Sequence, residues 1–173
     1  ADVELQVASG DFLRHGQPLL VVHKPGGTTS AADLDLEGLV RLGPERTMSE
    51  DPAFGFRLLV DVALRALSPS LNDPSTASQA IDRLHELLSL LQGREIPSPL
   101  VLRAGSGARA LLPTPAWDAY VRLATSELEL ACRALPQVRR HLLQMVGALL
   151  ADASPRRQPA LRRALAEIRR GPG

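Results

Sequence analysis

Lysine occurs once in this chain, at Lys24, and cysteine once, at Cys132. A single thiol excludes an intramolecular disulfide and any multi-cysteine metal site, and an unpaired cysteine suits a reducing compartment. Aromatic residues make up 3% of the chain, so a core has to be assembled from Leu, Val and Ala. No signal-peptide pattern and no run of about 18 apolar residues occurs, which gives the expectation of a soluble chain. Internal repeats are absent. The first residues carry no initiator Met and already read as a strand, as in a piece of a longer protein.

With 173 residues the chain is long enough to bury a core of its own. Net charge is +1, but it is unevenly spread. Residues 133–173 hold nine Arg against Asp152 and Glu167, a net +7, which leaves −6 for residues 1–132. Such asymmetry suggests an anionic partner for the basic end, or packing against acidic residues of the same molecule.

Residues 3–7 and 19–23 are apolar and Val-rich, as strands are, with turn signals at Gly10-Asp11 and Gly16-Gln17-Pro18 between them. Residues 25–33 read as a loop and 39–42 as a further strand. Asp51-Pro52 is an N-cap followed by proline at the first helical position, and the helix it opens ends near Leu67 because Pro69 restricts Ser68. Asp73-Pro74 repeats the signal ahead of Ala77, Ile81, Leu84, Leu88 and Leu91 at helical spacing, and Gly93 closes that helix. Residues 100–103 and 109–112 flank a Gly-Ser-Gly tip and predict a β-hairpin. Thr114-Pro115 predicts a helix to about Leu135. A fourth helix is expected around 137–152, and a fifth after Ser154-Pro155 or Gln158-Pro159.

Polar chemistry concentrates between Arg57 and Thr76. Arg57, Asp61 and Arg65 are spaced i, i+4, i+8 and form one charged stripe on a helix that is otherwise apolar. Three readings fit that stripe: a solvated ion-pair ladder, a buried structural network, or a ligand or catalytic site. The elbow after it crowds Ser68, Asn72, Asp73 and Thr76 between prolines. Asp73 is positioned to cap the second helix through the amides of Ser75 or Thr76, and Asn72 tolerates left-handed backbone angles. An anion held by the helix amides beside Arg65 is the alternative, but the Asp73 carboxylate competes for the same amides.

Other motifs fall short. His85 has no second His four residues on, where Ser89 stands, so the zincin spacing fails, and no metal or cofactor set is recognisable. Ser68, Asp82 and His85 contain the residue types of a catalytic triad, which only geometry can establish. Pro25-Gly26-Gly27-Thr28-Thr29 and Gly105-Ser106-Gly107 lack the Gly-Lys-Ser/Thr of a phosphate loop. The Arg pairs near the C-terminus are not interleaved with stacking aromatics, which argues against nucleic acid. Residues 10–22 superficially resemble half of a biotinyl or lipoyl hairpin, but Lys24 lies in His-Lys-Pro-Gly rather than in an acceptor turn.

The block Arg46, Thr47, Asp51, Phe54, Gly55, Arg57, Leu59, Val60, Asp61, Ala63, Arg65-Ala66-Leu67-Ser68-Pro69, Asn72-Asp73-Pro74 and Thr76-Ala77 resembles the signature of a bacterial family of predicted membrane proteins, domain of unknown function 2254. Gly10-Asp11-Phe12-Leu13 and Gly16-Gln17-Pro18-Leu19 resemble its β segment. Ser49-Glu50 departs from the pattern, where Gln is expected nearer Asp51. The resemblance implies transmembrane helices ahead of this part in the parent protein. It supplies no reaction.

These observations together predict an α+β fold, mainly α. A small β unit at residues 1–47 would precede a bundle of about five helices at 48–173, with the hairpin near 100–112 inserted in it. The functional expectation is a soluble, cytoplasm-facing domain of a bacterial membrane protein, acting in binding, assembly or gating. The alternative is an enzyme or small-ligand sensor with its site at 57–76. Expected partners are the parent's own transmembrane segment, further copies of the chain, and an anionic lipid surface meeting Arg162, Arg163, Arg169 and Arg170.

Overall fold

Two acid–proline pairs stand directly at helix starts in the computed structural model of the protein, which describes residues 2–23, 43, 45–49, 51–103 and 109–170. Helix α1 (Pro52–Ala66) begins right after Asp51 and helix α2 (Pro74–Gln92) right after Asp73. Proline is suited to that position because its missing N–H would have no intrahelical acceptor there. Helices α3 (Trp117–Ala131), α4 (Pro136–Asp152) and α5 (Gln158–Arg170) follow. The strands are β1 (Asp2–Leu5), β2 (Leu20–His23), β3 (Leu100–Arg103) and β4 (Arg109–Leu112). The protein is therefore α+β and mainly α. The strand expected at 39–42, the loop at 25–33 with Lys24, and the hairpin tip lie outside the described residues.

The chain divides into two units, Ala1–Asp51 with Pro97–Thr114, and Pro52–Ile96 with Pro115–Gly173. The first holds one sheet of strand order β2-β1-β4-β3. β1 pairs antiparallel with β2 and parallel with β4, in the register Asp2↔Arg109, Val3↔Ala110, Glu4↔Leu111. The hairpin, expected inside the helical segment, thus belongs to the sheet. The physical reason is that strand pairing joins residues about a hundred positions apart, for which no local pattern exists. An Asp2–Arg109 ion pair marks the β1–β4 register, and the guanidinium of Arg109 holds the Asp2 carboxyl below the usual carboxylate range. At the base of the hairpin the Thr114 hydroxyl donates to the Pro97 carbonyl at 2.6 Å, and the Ser98 hydroxyl to the Thr114 carbonyl at 2.6 Å. Thr114 therefore serves the hairpin rather than α3, whose N-cap is Ala116 with no side-chain cap.

In the second unit the main helix contacts follow the cycle α1–α2–α4–α5–α3, and α3 also touches α2 and α4 more lightly. The buried face of α1 is Phe56, Val60 and Ala63; that of α2 is Ala77, Ile81, Leu84 and Leu88, at the i, i+4 and i, i+3 steps that put side chains on one face. Val121, Ala124 and Leu128 of α3 and Leu142, Val146 and Leu149 of α4 complete the centre with Leu161 and Ile168 of α5. Phe56 and Tyr120 meet between α1 and α3 with ring centroids 5.2 Å apart and tilted by 54°, an edge-biased arrangement that aromatic quadrupoles favour. Cys132 is fully buried. Burial pushes its thiol above the ordinary value, which keeps it protonated and a poor nucleophile.

One junction is held by a cation. Arg157, in the α4–α5 turn, lies over the Trp117 ring at 4.8 Å from its centroid. Its Nη2 donates to the Arg94 carbonyl at 2.6 Å, and the Trp117 indole N–H donates to the Arg157 carbonyl at 3.0 Å. One side chain thereby joins the segment after α2, the start of α3 and the entry to α5. Gly93 closes α2 as expected, but its φ of −83° is right-handed geometry that any residue can adopt.

Candidate functional site: helix α1 and the elbow to α2

The elbow is built from the backbone outward. After α1 the Leu71 and Asn72 amides donate to the Ser68 carbonyl at 3.1 and 2.9 Å, and the Asp73 amide reaches back to the Ala66 carbonyl at 2.8 Å. Closing the chain this tightly takes a residue with positive φ, and Asn72 supplies it at φ 43°. Asparagine tolerates this region because its short polar side chain bonds locally. Asp73 then caps α2: its Oδ1 accepts the Ser75 and Thr76 amides at 3.1 Å each, and Oδ2 accepts the Thr76 hydroxyl at 2.5 Å. The Thr76 hydroxyl, with the two amides, holds the Asp73 carboxyl below the usual carboxylate range. The amides that could have met an anion are therefore occupied by the chain's own carboxylate. The Ser68 hydroxyl lies 3.2 Å from that of Ser70.

A depressed carboxyl stabilises the native state where it is ionised. The Asp73 contribution is present at neutral pH and is lost as pH falls below the ordinary value of 3.8 and through its lower folded value. We expect Asp73→Ala to lower the thermal midpoint at pH 7. Asp73→Asn should keep the cap and change the midpoint little at pH 7, while weakening the loss of stability as pH falls below the ordinary carboxylate value. Thermal melts of the three proteins from neutral pH down past that value check this; equal midpoints for Asp73→Ala and wild type would exclude the capping role.

The charged stripe on α1 is divided by the fold. Arg57 bonds Asp61 at 2.6 Å, one turn away, and also forks onto Glu127 of α3, with its Nη2 3.2 Å from Oε2. Glu127 first and Asp61 second raise the Arg57 guanidinium further above its ordinary value. Their side chains are 33% exposed for Arg57, 40% for Asp61 and 47% for Glu127, so the group is half-solvated and screened by salt. Arg65 is exposed and faces no carboxylate among the described residues. Glu127 had no sequence signal, because it reaches Arg57 only through the packing of α3 on α1. A double-mutant cycle on Arg57→Ala and Glu127→Ala should give a coupling of about 1 kcal/mol, the upper end for half-exposed pairs, with Arg65→Ala within about 0.5 kcal/mol of wild type. Strict additivity of Arg57→Ala and Glu127→Ala in urea titrations would refute the bridge.

Among the described residues no hydrogen bond joins Ser68, Asp82 and His85. Asp82 Oδ1 accepts from His141 Nε2 of α4 at 2.7 Å, which ties α2 to α4. Among the described residues no group of three or more His, Cys, Asp or Glu is placed to hold a metal, and no helix is long and apolar enough to cross a membrane.

In the first unit, Arg46 donates to Asp51 Oδ2, from Nε at 3.0 Å and also from Nη2. The Asp51 side chain is 6% exposed. Gly10 approaches this pair at φ 83°, and a Cβ there would overlap both the carboxylate and the guanidinium. Gly10, Arg46 and Asp51 all belong to the residues that resemble the family signature, although more than thirty positions separate Gly10 from Arg46.

Residues 1–148 match the family model described as predicted membrane protein (DUF2254). The chain belongs to that family. An uncharacterized protein of Mycobacterium bovis and two of Mycobacterium tuberculosis, from strains CDC 1551 and H37Rv, are each 34% identical to it over 130 residues. The aligned part is 75% of this chain and 25% of each relative, so the chain spans about a quarter of the length of these curated relatives. No solved structure matches. The match to the family model takes in α1, the elbow, α2, α3 and all but the last turn of α4, and stops before α5.

Proposed function

We propose that this DUF2254 chain is an extramembrane part of a bacterial membrane protein, that it faces the cytoplasm, and that it serves binding, assembly or gating of the membrane-embedded part. The observation that carries the proposal is the outer face of α5. Arg162, Arg169 and Arg170 line a shallow groove of about 570 Å³ with Leu150, Leu165 and Ala166. Among the described residues no carboxylate pairs with these three Arg; Arg162 donates to Gln158 at 2.8 Å. Arg139 of α4 caps the last turn of α5, donating to the Ile168 and Arg169 carbonyls at 2.7 and 3.0 Å, so the Arg169 and Arg170 side chains extend from a fixed helix end. Arg163 differs from the other three. It lines a separate groove with Asp118, Arg122 and Glu167, in which Asp118 pairs with Arg122.

The cytoplasmic leaflet is anionic, and each Arg near it contributes about 1 kcal/mol, fading beyond a Debye length. Ala160, Leu161, Ala164 and Ile168 are spent on the core, so α5 would rest on a surface rather than insert. The protein is expected to bind vesicles containing phosphatidylserine at low salt, to release them at high salt, and to ignore neutral vesicles. Replacing Arg162, Arg169 and Arg170 together by Gln should weaken binding about a hundredfold, at about 1 kcal/mol each. Of the four single Arg→Gln changes, the one at Arg163 should have the smallest effect. Equal absence of binding to anionic and neutral vesicles at low salt would overturn the surface reading.

A further inference from the structure

Helix α1 is buried on one side only. Phe56, Val60 and Ala63 face the core, whereas Leu58 and Val62 on the opposite side are 40% and 43% exposed. At about 100° per residue, Leu58, Asp61, Val62 and Arg65 fall within an arc of roughly 100°. That arc is an apolar pair one turn apart, flanked by one carboxylate and one guanidinium, also one turn apart. Leu71, in the elbow beyond the end of α1, is 59% exposed. Single exposed apolar residues are ordinary, but a contiguous stripe on an otherwise well-packed helix indicates a partner.

We propose that this face pairs with the same face of a second copy of the chain, with the two α1 helices antiparallel about a two-fold axis. The argument is charge complementarity within one surface. Asp61 and Arg65 are four residues apart, so an axis level with Ala63 sets Arg65 of each copy against Asp61 of the other. Both pairs form at once from a single self-complementary patch, as isologous contacts require. Arg65, which has no carboxylate of its own among the described residues, acquires one. Asp61 keeps Arg57, whose second anchor on Glu127 holds the guanidinium in place. The same axis brings the two Val62 side chains together. A different protein could also cover Leu58 and Val62, but it would have to supply both charges itself. The patch is smaller than a standard interface, so the dimer is weak in solution. In a membrane-anchored parent, confinement would raise the effective concentration.

The test is sedimentation velocity on the 173-residue chain across roughly 10 µM to 1 mM, the range that a small interface demands. Wild type is expected to shift from monomer toward dimer. Arg65→Glu and Asp61→Arg should each raise the dissociation constant at least about tenfold, because each homodimer then opposes two like charges. An equimolar mixture of the two variants restores both pairs. The carboxylate introduced at position 65 of one copy then faces the guanidinium introduced at position 61 of the other, and the native Arg65 faces the native Asp61. That mixture should return to within about threefold of wild type. Circular dichroism confirms that each variant is folded. As an independent measurement, Val62→Cys should give a disulfide-linked dimer when oxidised with diamide. Leu90→Cys, at an exposed position on α2, should not, and Cys132 is buried. A wild type that stays monomeric throughout, a dimer indifferent to both charge reversals, or a mixture that fails to recover would each overturn the pairing.

Discussion

Trp117→Ala is expected to destabilise the helical unit by about 3–5 kcal/mol, the range for removing a large buried aromatic side chain. Trp117 is 7% exposed, and three features depend on it. Its ring fills the space at the start of α3, its face carries the Arg157 guanidinium, and its N–H satisfies the Arg157 carbonyl. Trp117→Phe separates these contributions. It keeps most of the apolar volume and an aromatic face for the cation, and loses the indole donor, which should cost about 1 kcal/mol together with some packing. Arg157→Ala should add a loss of about 0.5–2 kcal/mol from the cation–π contact and leave the Arg94 carbonyl without this donor. Urea denaturation followed by far-UV circular dichroism measures all three. If Trp117→Ala falls within about 1 kcal/mol of wild type, the junction between α2, α3 and α5 does not depend on this ring.

Gly10→Ala is expected to cost the sheet unit about 1–3 kcal/mol, because it strains the backbone and displaces the Arg46 side chain from Asp51. Two physical terms act together. A residue with a Cβ at φ 83° pays about 1–2 kcal/mol for the left-handed conformation, and the added methyl group meets the Asp51 carboxylate and the Arg46 guanidinium. Displacing Arg46 would take its cation away from the Asp51 carboxylate, which is only 6% exposed. Hydrogen exchange is the suitable measurement because it reads the two units separately. Amides of β1 and β2 should lose protection in Gly10→Ala, while those of α2 should keep theirs. Gly16 provides the control, since its φ is 80° but a Cβ there meets nothing within 4 Å; Gly16→Ala should show the conformational cost alone. Equal effects at Gly10 and Gly16 would mean that the Arg46–Asp51 pair does not sense the extra group.

Most helices were legible because their signals are local. Asp-Pro starts, apolar residues at helical spacing and the Pro69 stop depend on neighbours within a few positions, and α1, α2 and α4 lie close to where those patterns put them. Asn72 and Asp73 were legible for the same reason, since an αL residue and a cap act on amides two or three residues away. Helix α3 starts a few residues after Thr114 because Thr114 has a competing use: its hydroxyl bonds a carbonyl seventeen positions earlier. The membrane-protein family was legible from one dense block of residues, even though that block names no reaction.

The sequence by itself determined the helical and strand segments, the capping chemistry of the elbow, the single thiol and the family, all of which follow from short-range periodicity, steric limits and residue type. Only the tertiary structure decided which strands share a sheet and that Gly10 sits against Arg46 and Asp51. It alone decided that Arg57 turns to Glu127, while Arg65 meets no carboxylate among the described residues, and that Arg163 parts company with Arg162, Arg169 and Arg170. Each of these depends on groups brought together from distant positions by packing of the chain, and a stripe of charge on one helix carries no information about what the neighbouring helix will set against it.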